Sequence, residues 1–228
     1  MILKTKLFGF CLLTLLFANA VAYGQVPHSD IEIELENGAL FTDPRIGEGE
    51  FGEAPNPPNV ADEPGLEADD GVLGAGDIIG FNAADVLGSN LWYWDGTGDV
   101  NFGPSASALT IEHPVSGESI ELTSAASGGV AGFTIGVADS EGGMHQDLEF
   151  ILDNMTPDAG VYLFGMEVTS PNYATSDPFY MVLGSEVTDV ELDMAVDWVA
   201  ETFNIPEPSS LGLCGLGLLG LLASRRRR

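Results

Sequence analysis

Cationic side chains are nearly missing from this 228-residue chain: seven Lys plus Arg stand against 35 Asp plus Glu, for a formal net charge of −28. The few that exist are not spread along it. Lys4 and Lys6 open the chain and Arg225 to Arg228 close it, so Arg45 is the one lysine or arginine in between, accompanied by His28, His113 and His145. Such a polyanion repels phosphate backbones, which excludes nucleic acid as a partner. With so few cationic partners for its carboxylates, either the fold depends on screening by salt or on bound divalent cations, or the acidity serves only to keep the chain soluble.

Cysteine is almost absent too. Cys11 and Cys214 both sit in apolar terminal segments, so the region between them has no disulfide and no thiolate metal site. Catalytic signatures are also lacking: there is no G-x-S-x-G, no HExxH and, outside the terminal segments, no cysteine nucleophile and no lysine. The expectation is therefore a domain of roughly 180 residues, held by a hydrophobic core alone and not an enzyme.

Long hydrophobic runs are confined to the two ends. After the basic start, Leu7 to Phe17 is almost unbroken apolar, followed by Ala18-Asn19-Ala20 and Ala20-Val21-Ala22. This is the order of a secretory signal, expected over residues 1–22, with signal peptidase cutting after Ala20 or Ala22. At the other end Pro206-Glu207-Pro208 precedes the uncharged, Leu- and Gly-rich stretch Ser209 to Ser224 and the cluster Arg225, Arg226, Arg227 and Arg228. As a helix that stretch reaches about 24 Å, short of a hydrocarbon core of about 30 Å, which suits a transient membrane anchor with its arginines on the cytoplasmic side.

These three features in this order resemble the PEP-CTERM sorting domain, over residues 205–228. The resemblance implies processing by an exosortase-type membrane protease near Pro206, Glu207 and Pro208, and delivery to the cell surface or an extracellular polysaccharide matrix. The region between the ends more weakly resembles exported all-β proteins with the same tail, through Asp62 to Gly65, Leu91 to Gly96, His145 to Leu152, Gly160 to Phe164 and Ser176 to Leu183. This second resemblance implies a shared fold and supplies no activity; the tail and the lack of catalytic signatures point to a surface or matrix protein of structural or interaction type. A Ca²⁺-dependent carbohydrate-binding module and a polysaccharide-active enzyme are the alternatives.

Residues 23–204 read as one acidic domain. Ile31-Glu32-Ile33-Glu34-Leu35 alternates apolar and acidic, the period of a half-buried strand, and Asn37-Gly38 supplies the turn after it. Residues 47–76 are rich in Gly, Pro and acids and are expected to form a long, irregular loop. Short apolar stretches then recur between turn residues: 78–81, 91–94, 100–102, 109–112, 119–123, 130–137, 148–152, 161–169 and 179–183. That pattern predicts an all-β fold, an antiparallel β-sandwich or jelly roll. Thr188-Asp189-Val190-Glu191 forms a capping box for one amphipathic helix over 188–203, with Val190, Met194, Ala195, Trp198, Val199 and Phe203 on its inner face. The short transmembrane sorting helix follows.

Three groups could carry binding chemistry. His145, Asp147 and Glu149 alternate, so on one strand they share a face and offer an imidazole and two carboxylates to a divalent ion; a solvated sheet face is the plainer reading. Asp95, Asp99 and Asn101 place oxygens at intervals in a Gly-rich stretch, either as a Ca²⁺ loop or as a hairpin. Trp92 and Trp94 face one side of a strand and Tyr93 the other, so one side is core and the other either core or a stacking platform for a sugar ring.

Overall fold

In a computed structural model the structure describes residues 30–205; the expected secretion signal, and the sorting tail from Pro206 onward, lie outside them. The chain runs through β1 (Ile31–Glu36), β2 (Ala39–Asp43), β3 (Ile46–Glu50), β4 (Val60–Ala61) and β5 (Leu66–Ala68). Next come β6 (Ile78–Ala84), β7 (Trp92–Trp94), β8 (Gly103–Pro104), β9 (Leu109–Glu112) and β10 (Ser119–Leu122). Then follow β11 (Val130–Val137), β12 (Met144–Gln146), β13 (Glu149–Leu152), β14 (Gly160–Thr169), β15 (Phe179–Ser185) and one helix, α1 (Asp189–Phe203). Among the described residues no helix is long and apolar enough to cross a membrane.

The strands form a sheet ordered β12-β5-β1-β2, a second ordered β10-β9-β13-β4, and a larger one built on β11-β6-β14-β15-β3 with β7 and β8 attached. Most pairings are antiparallel, but β1 runs parallel to β5 and β15 parallel to β3, so two of the three sheets are mixed where a purely antiparallel fold was expected. In β1, Ile31 and Ile33 are buried while Glu32 and Glu34 are exposed, as the alternation requires. Asn37 and Gly38 both take positive φ, 53° and 84°, the two-residue turn that closes β1 onto β2.

The central strands of the large sheet, β14 and β15, are buried on both faces. Along β14, Tyr162, Phe164, Met166 and Val168 enter one core, together with Phe179, Met181 and Leu183 of β15 and the inward residues of the two smaller sheets. The alternate residues Val161, Leu163, Tyr180 and Val182 enter a second core under α1. A strand covered on both sides needs a continuous apolar run, and β14 and β15 have one. β14 is long enough to pair along one edge with two short strands in succession, β7 at Val161–Leu163 and β6 at Gly165–Thr169.

Three sequence expectations are corrected here. Residues 47–76 are not an irregular loop: they contain most of β3 and all of β4 and β5, because β3 completes the large sheet beside β15 and β5 joins β1. Val100 to Phe102 is not a strand; Val100 and Phe102 pack on the second core, and the ladder beside β7 is made by Gly103–Pro104. The helix is present, but its buried face is Leu192, Ala195 and Val199, whereas Val190 and Met194 are exposed. Phe203 stacks on Tyr180 at 4.1 Å between ring centroids, and Trp198 lies 5.1 Å from Phe102, which fixes this rotation of the helix.

The start of α1 is fastened as the sequence suggests. The Glu191 carboxylate accepts hydrogen bonds from the Thr188 backbone N–H at 2.7 Å and the Thr188 hydroxyl at 2.9 Å, and these bonds hold its pKa below the ordinary glutamate value. Thr188→Ala should cost about 1 kcal/mol, read as a lower chemical-denaturation midpoint with an unchanged slope.

Candidate functional site

The best-formed cluster of ligand-type side chains lies where one small sheet ends. Asp30 immediately precedes β1, Gly65 immediately precedes β5, and Asp147 immediately follows β12, so the three occupy the same end of three neighbouring strands. The order is set by pairing: Ile31 is opposite Leu66, and Leu66 is opposite Gln146. The Ile31 N–H donates to the Gly65 carbonyl at 3.0 Å, and the Gly65 N–H donates to Asp30 Oδ1 at 2.9 Å.

His145, two residues before Asp147 on the same face, completes the group. Its Nε2 lies 3.1 Å from Asp30 Oδ2 and 3.5 Å from Asp147 Oδ1. One ligand atom from each of Asp30, His145 and Asp147 falls within 4.8 Å of the others. Gly65 is what makes the room: a Cβ there would collide with Asp147 Oδ1 and stand 3.1 Å from Asp30 Oδ1. The site is therefore closed beneath by a bare backbone and open above, with the His145 side chain 51% exposed. Burial pushes the Asp147 carboxyl up from its ordinary value; His145 opposes this, and Asp30 and Asp62 add to it.

Glu149 does not join this cluster. The chain passes from one small sheet to the other at Asp147 and Leu148, where Leu148 is fully buried, so Glu149 belongs to β13 and pairs opposite Glu112. The sequence alternation His145-Asp147-Glu149 is real, but it does not run along one strand. Asp30, 115 residues from His145, takes the third place. Only its position just before the alternating segment Ile31–Leu35 could have marked it as a strand-end residue.

His113 is used differently. Its Nδ1 accepts a hydrogen bond from the Val115 N–H at 3.1 Å, which closes the turn between β9 and β10.

The aromatic and oxygen-rich candidates come together elsewhere. Trp94 is buried against the second core and Trp92 packs beside it, with their indole N–H groups donating to the carbonyls of Thr97 at 3.3 Å and Val86 at 2.6 Å. Tyr93 points the other way, its ring 5.1 Å from that of Tyr162 and its hydroxyl donating to the Ala159 carbonyl at 2.7 Å. Burial raises both phenols, that of Tyr162 to about 12, so each stays neutral in the physiological range. Both sides of the strand thus meet packed side chains.

Beside it, Tyr93, Trp94, Asp95, Thr97, Asp99, Asn101, Gly103 and Pro104 line a shallow concavity of about 370 Å³. Asp95 Oδ1 accepts from the Thr97 hydroxyl at 2.7 Å and the Thr97 N–H at 3.0 Å, bonds that lower its pKa and shape a tight turn. Asp99 and Asn101 are exposed on the same rim.

Other carboxylates build loops. Asp139 accepts from the N–H groups of Glu141, Gly142 and Gly143 at 2.8, 3.0 and 3.2 Å. Asp77 accepts from the Tyr173 hydroxyl, from the Asn172 amide and from the Gly74 N–H. Both are held below the ordinary aspartate pKa by these bonds.

No curated protein matches this chain. Residues 204–228 match the family model described as the PEP-CTERM protein-sorting motif, so the chain carries a C-terminal sorting signal of that type and is an exported protein.

Proposed function

We propose that this is a non-enzymatic surface or matrix protein, an acidic β-sandwich of structural or interaction type that signal peptidase and an exosortase-type protease process on its way out of the cell. The carrying observation is that the match to the sorting motif begins at residue 204, directly after α1 ends at Phe203. The packing of the two small sheets and the large one around a shared core supports the sandwich reading. All but Glu207 of the 35 acidic residues belong to this domain, a composition suited to a solvated, salt-rich surface.

One observation favours a second reading, a carbohydrate-binding module. The concavity beside β7 brings the partly exposed Tyr93 together with the oxygens of Asp95, Asp99 and Asn101, an aromatic side chain beside polar groups of the kind that sugar recognition uses.

A single preparation tests both. Protein recovered from the cell surface is weighed by mass spectrometry and then applied to a glycan array with and without Ca²⁺. We expect a mass lacking Arg225 to Arg228 and no glycan captured. An intact tail rejects the processing step. Capture that Tyr93→Ala abolishes moves the assignment to the binding module, and turnover of a glycan moves it to an enzyme.

A further inference from the structure

We propose that Asp30, His145 and Asp147 form a binding site for one divalent transition-metal ion of the zinc class, with the three side chains as its protein ligands. The inference rests on side-chain geometry and is independent of the surface or matrix role.

The ligand spacing fits such an ion. Four-coordinate zinc holds nitrogen and oxygen ligands at about 2.0–2.2 Å, which puts neighbouring ligand atoms about 3.3–3.6 Å apart in a tetrahedron. The distances from His145 Nε2 to the two aspartate oxygens, 3.1 and 3.5 Å, fall close to that edge length. The third edge, between the two carboxylates, is no wider than 4.8 Å, and a turn of the half-exposed Asp147 side chain closes it. The fourth position faces solvent on the exposed side of the imidazole and is left for water or an oxygen donor from outside.

The donor set also selects the metal. Calcium takes six to eight oxygens at longer distances, whereas this cluster offers an imidazole nitrogen and two short carboxylates. One nitrogen with two carboxylate oxygens suits zinc and its neighbours. A divalent ion also answers the local electrostatics. Two aspartates converge here with Asp62 nearby, in a domain where Arg45 donates its guanidinium hydrogen bonds to the Pro178 carbonyl on another part of the surface. On binding, the metal takes the place of any proton on His145 Nε2, and its two charges neutralise the two carboxylates.

The arrangement differs from a casual patch of surface acids in its floor. Asp30 and Asp147 come from the strands on either side of β5, and they can approach because the residue between them is Gly65. A metal there would tie Asp30, at the start of β1, to the end of β12, across β5.

The test uses the full chain without an affinity tag, solubilised in detergent, stripped with chelator and titrated with ZnCl₂, CaCl₂ or CoCl₂. The proposal expects one zinc-binding event per chain, weakened at least about tenfold in His145→Ala and in Asp147→Asn, with a visible cobalt absorption band that His145→Ala removes. Gly65→Ala keeps all three ligands and should weaken zinc by crowding the carboxylates, while circular dichroism shows each variant folded. Zinc uptake that is unchanged in these variants overturns the site. The absence of a single stoichiometric event does so too. Calcium binding as tight as zinc, and equally lost in His145→Ala, overturns the metal class.

Discussion

Phe164→Ala lowers the thermal midpoint of this domain by roughly 6–20 °C, the span expected when the loss of a buried phenylalanine costs about 3–5 kcal/mol in a domain of this size. Phe164 is fully buried at the middle of β14, with its ring 5.5 Å from that of Phe150 across the main core and its backbone opposite Met181 of β15. Truncation leaves a cavity between two sheets, and the strands around it are held from both faces, so they cannot collapse to fill it. A domain without disulfides has no covalent link to limit the loss. The control is Val115→Ala in an exposed turn, 86% accessible, which should move the midpoint hardly at all. Thermal melts followed by circular dichroism make the comparison; equal midpoints for the two variants would contradict this account of the core.

The second large effect is electrostatic and has two signs. At pH 7, raising NaCl from about 0.01 M to about 1 M shortens the screening length from about 30 Å to about 3 Å. Repulsion among the carboxylates is then relieved, and each kcal/mol of relief appears as about 2–4 °C of added thermal midpoint. Acidification first acts in the same direction, because protonating surface carboxylates lowers the net charge.

Below the ordinary aspartate range the sign reverses. Asp77, Asp95 and Asp139 have pKa values lowered in the folded state, Asp77 chiefly by the Tyr173 hydroxyl, Asp95 by the Thr97 hydroxyl and Asp139 by the N–H of Glu141. A group of this kind contributes fully above its unfolded pKa, here 3.8, and loses that contribution as pH falls through the lower folded value. Stability against pH at low salt should therefore rise as pH falls toward about 4 and then drop below it, and high salt should flatten the rise without removing the drop. A profile that falls steadily from neutral pH would reject the repulsion argument. Loss of the acid limb in Asp139→Asn alone would narrow that limb to a single loop.

How far the sequence reveals this arrangement depends on what each strand buries. β1 is legible because Ile31 and Ile33 face the core and Glu32 and Glu34 face water. β14 and β15 are legible because both of their faces are covered, so their apolar runs are long, broken in β14 only by Glu167 near its end. β3 is not: Ile46-Gly47-Glu48-Gly49-Glu50 buries glycine backbone against Pro64, Met181 and Leu183, and a strand whose buried positions are glycines leaves no apolar period. β4, β5 and β8 are two or three residues long, too short for any period to register. In the helix, the capping box marks the start correctly. The inner face is rotated because Tyr180 and Phe102, which dock Phe203 and Trp198, come from distant parts of the chain, β15 and the segment before β8.

The metal-type cluster divides in the same way. His145 and Asp147 stand two apart and are visible as a pair, but the sheet change at Leu148 removes Glu149, and only tertiary pairing through β5 brings in Asp30. Gly65 carries no mark in the sequence that separates it from the other glycines of the chain. Its role becomes evident only once Asp30 and Asp147 are placed on either side of it.

The end-to-end pairing of β14 with β6 and β7, and the parallel pairing of β15 with β3, also bear on how the chain leaves the cell. The large sheet is assembled around strands from the last third of the described residues, and it joins segments far apart in the chain, as in the pairing of Ile46 with Tyr180. Such high contact order makes folding slow and postpones it until β14 and β15 are available. A chain that crosses a membrane amino terminus first exposes β3, β6 and β7 well before β14 and β15, their partners in the large sheet, emerge. Such a topology would keep the polypeptide threadable during translocation, and acidic self-repulsion would discourage the waiting strands from aggregating.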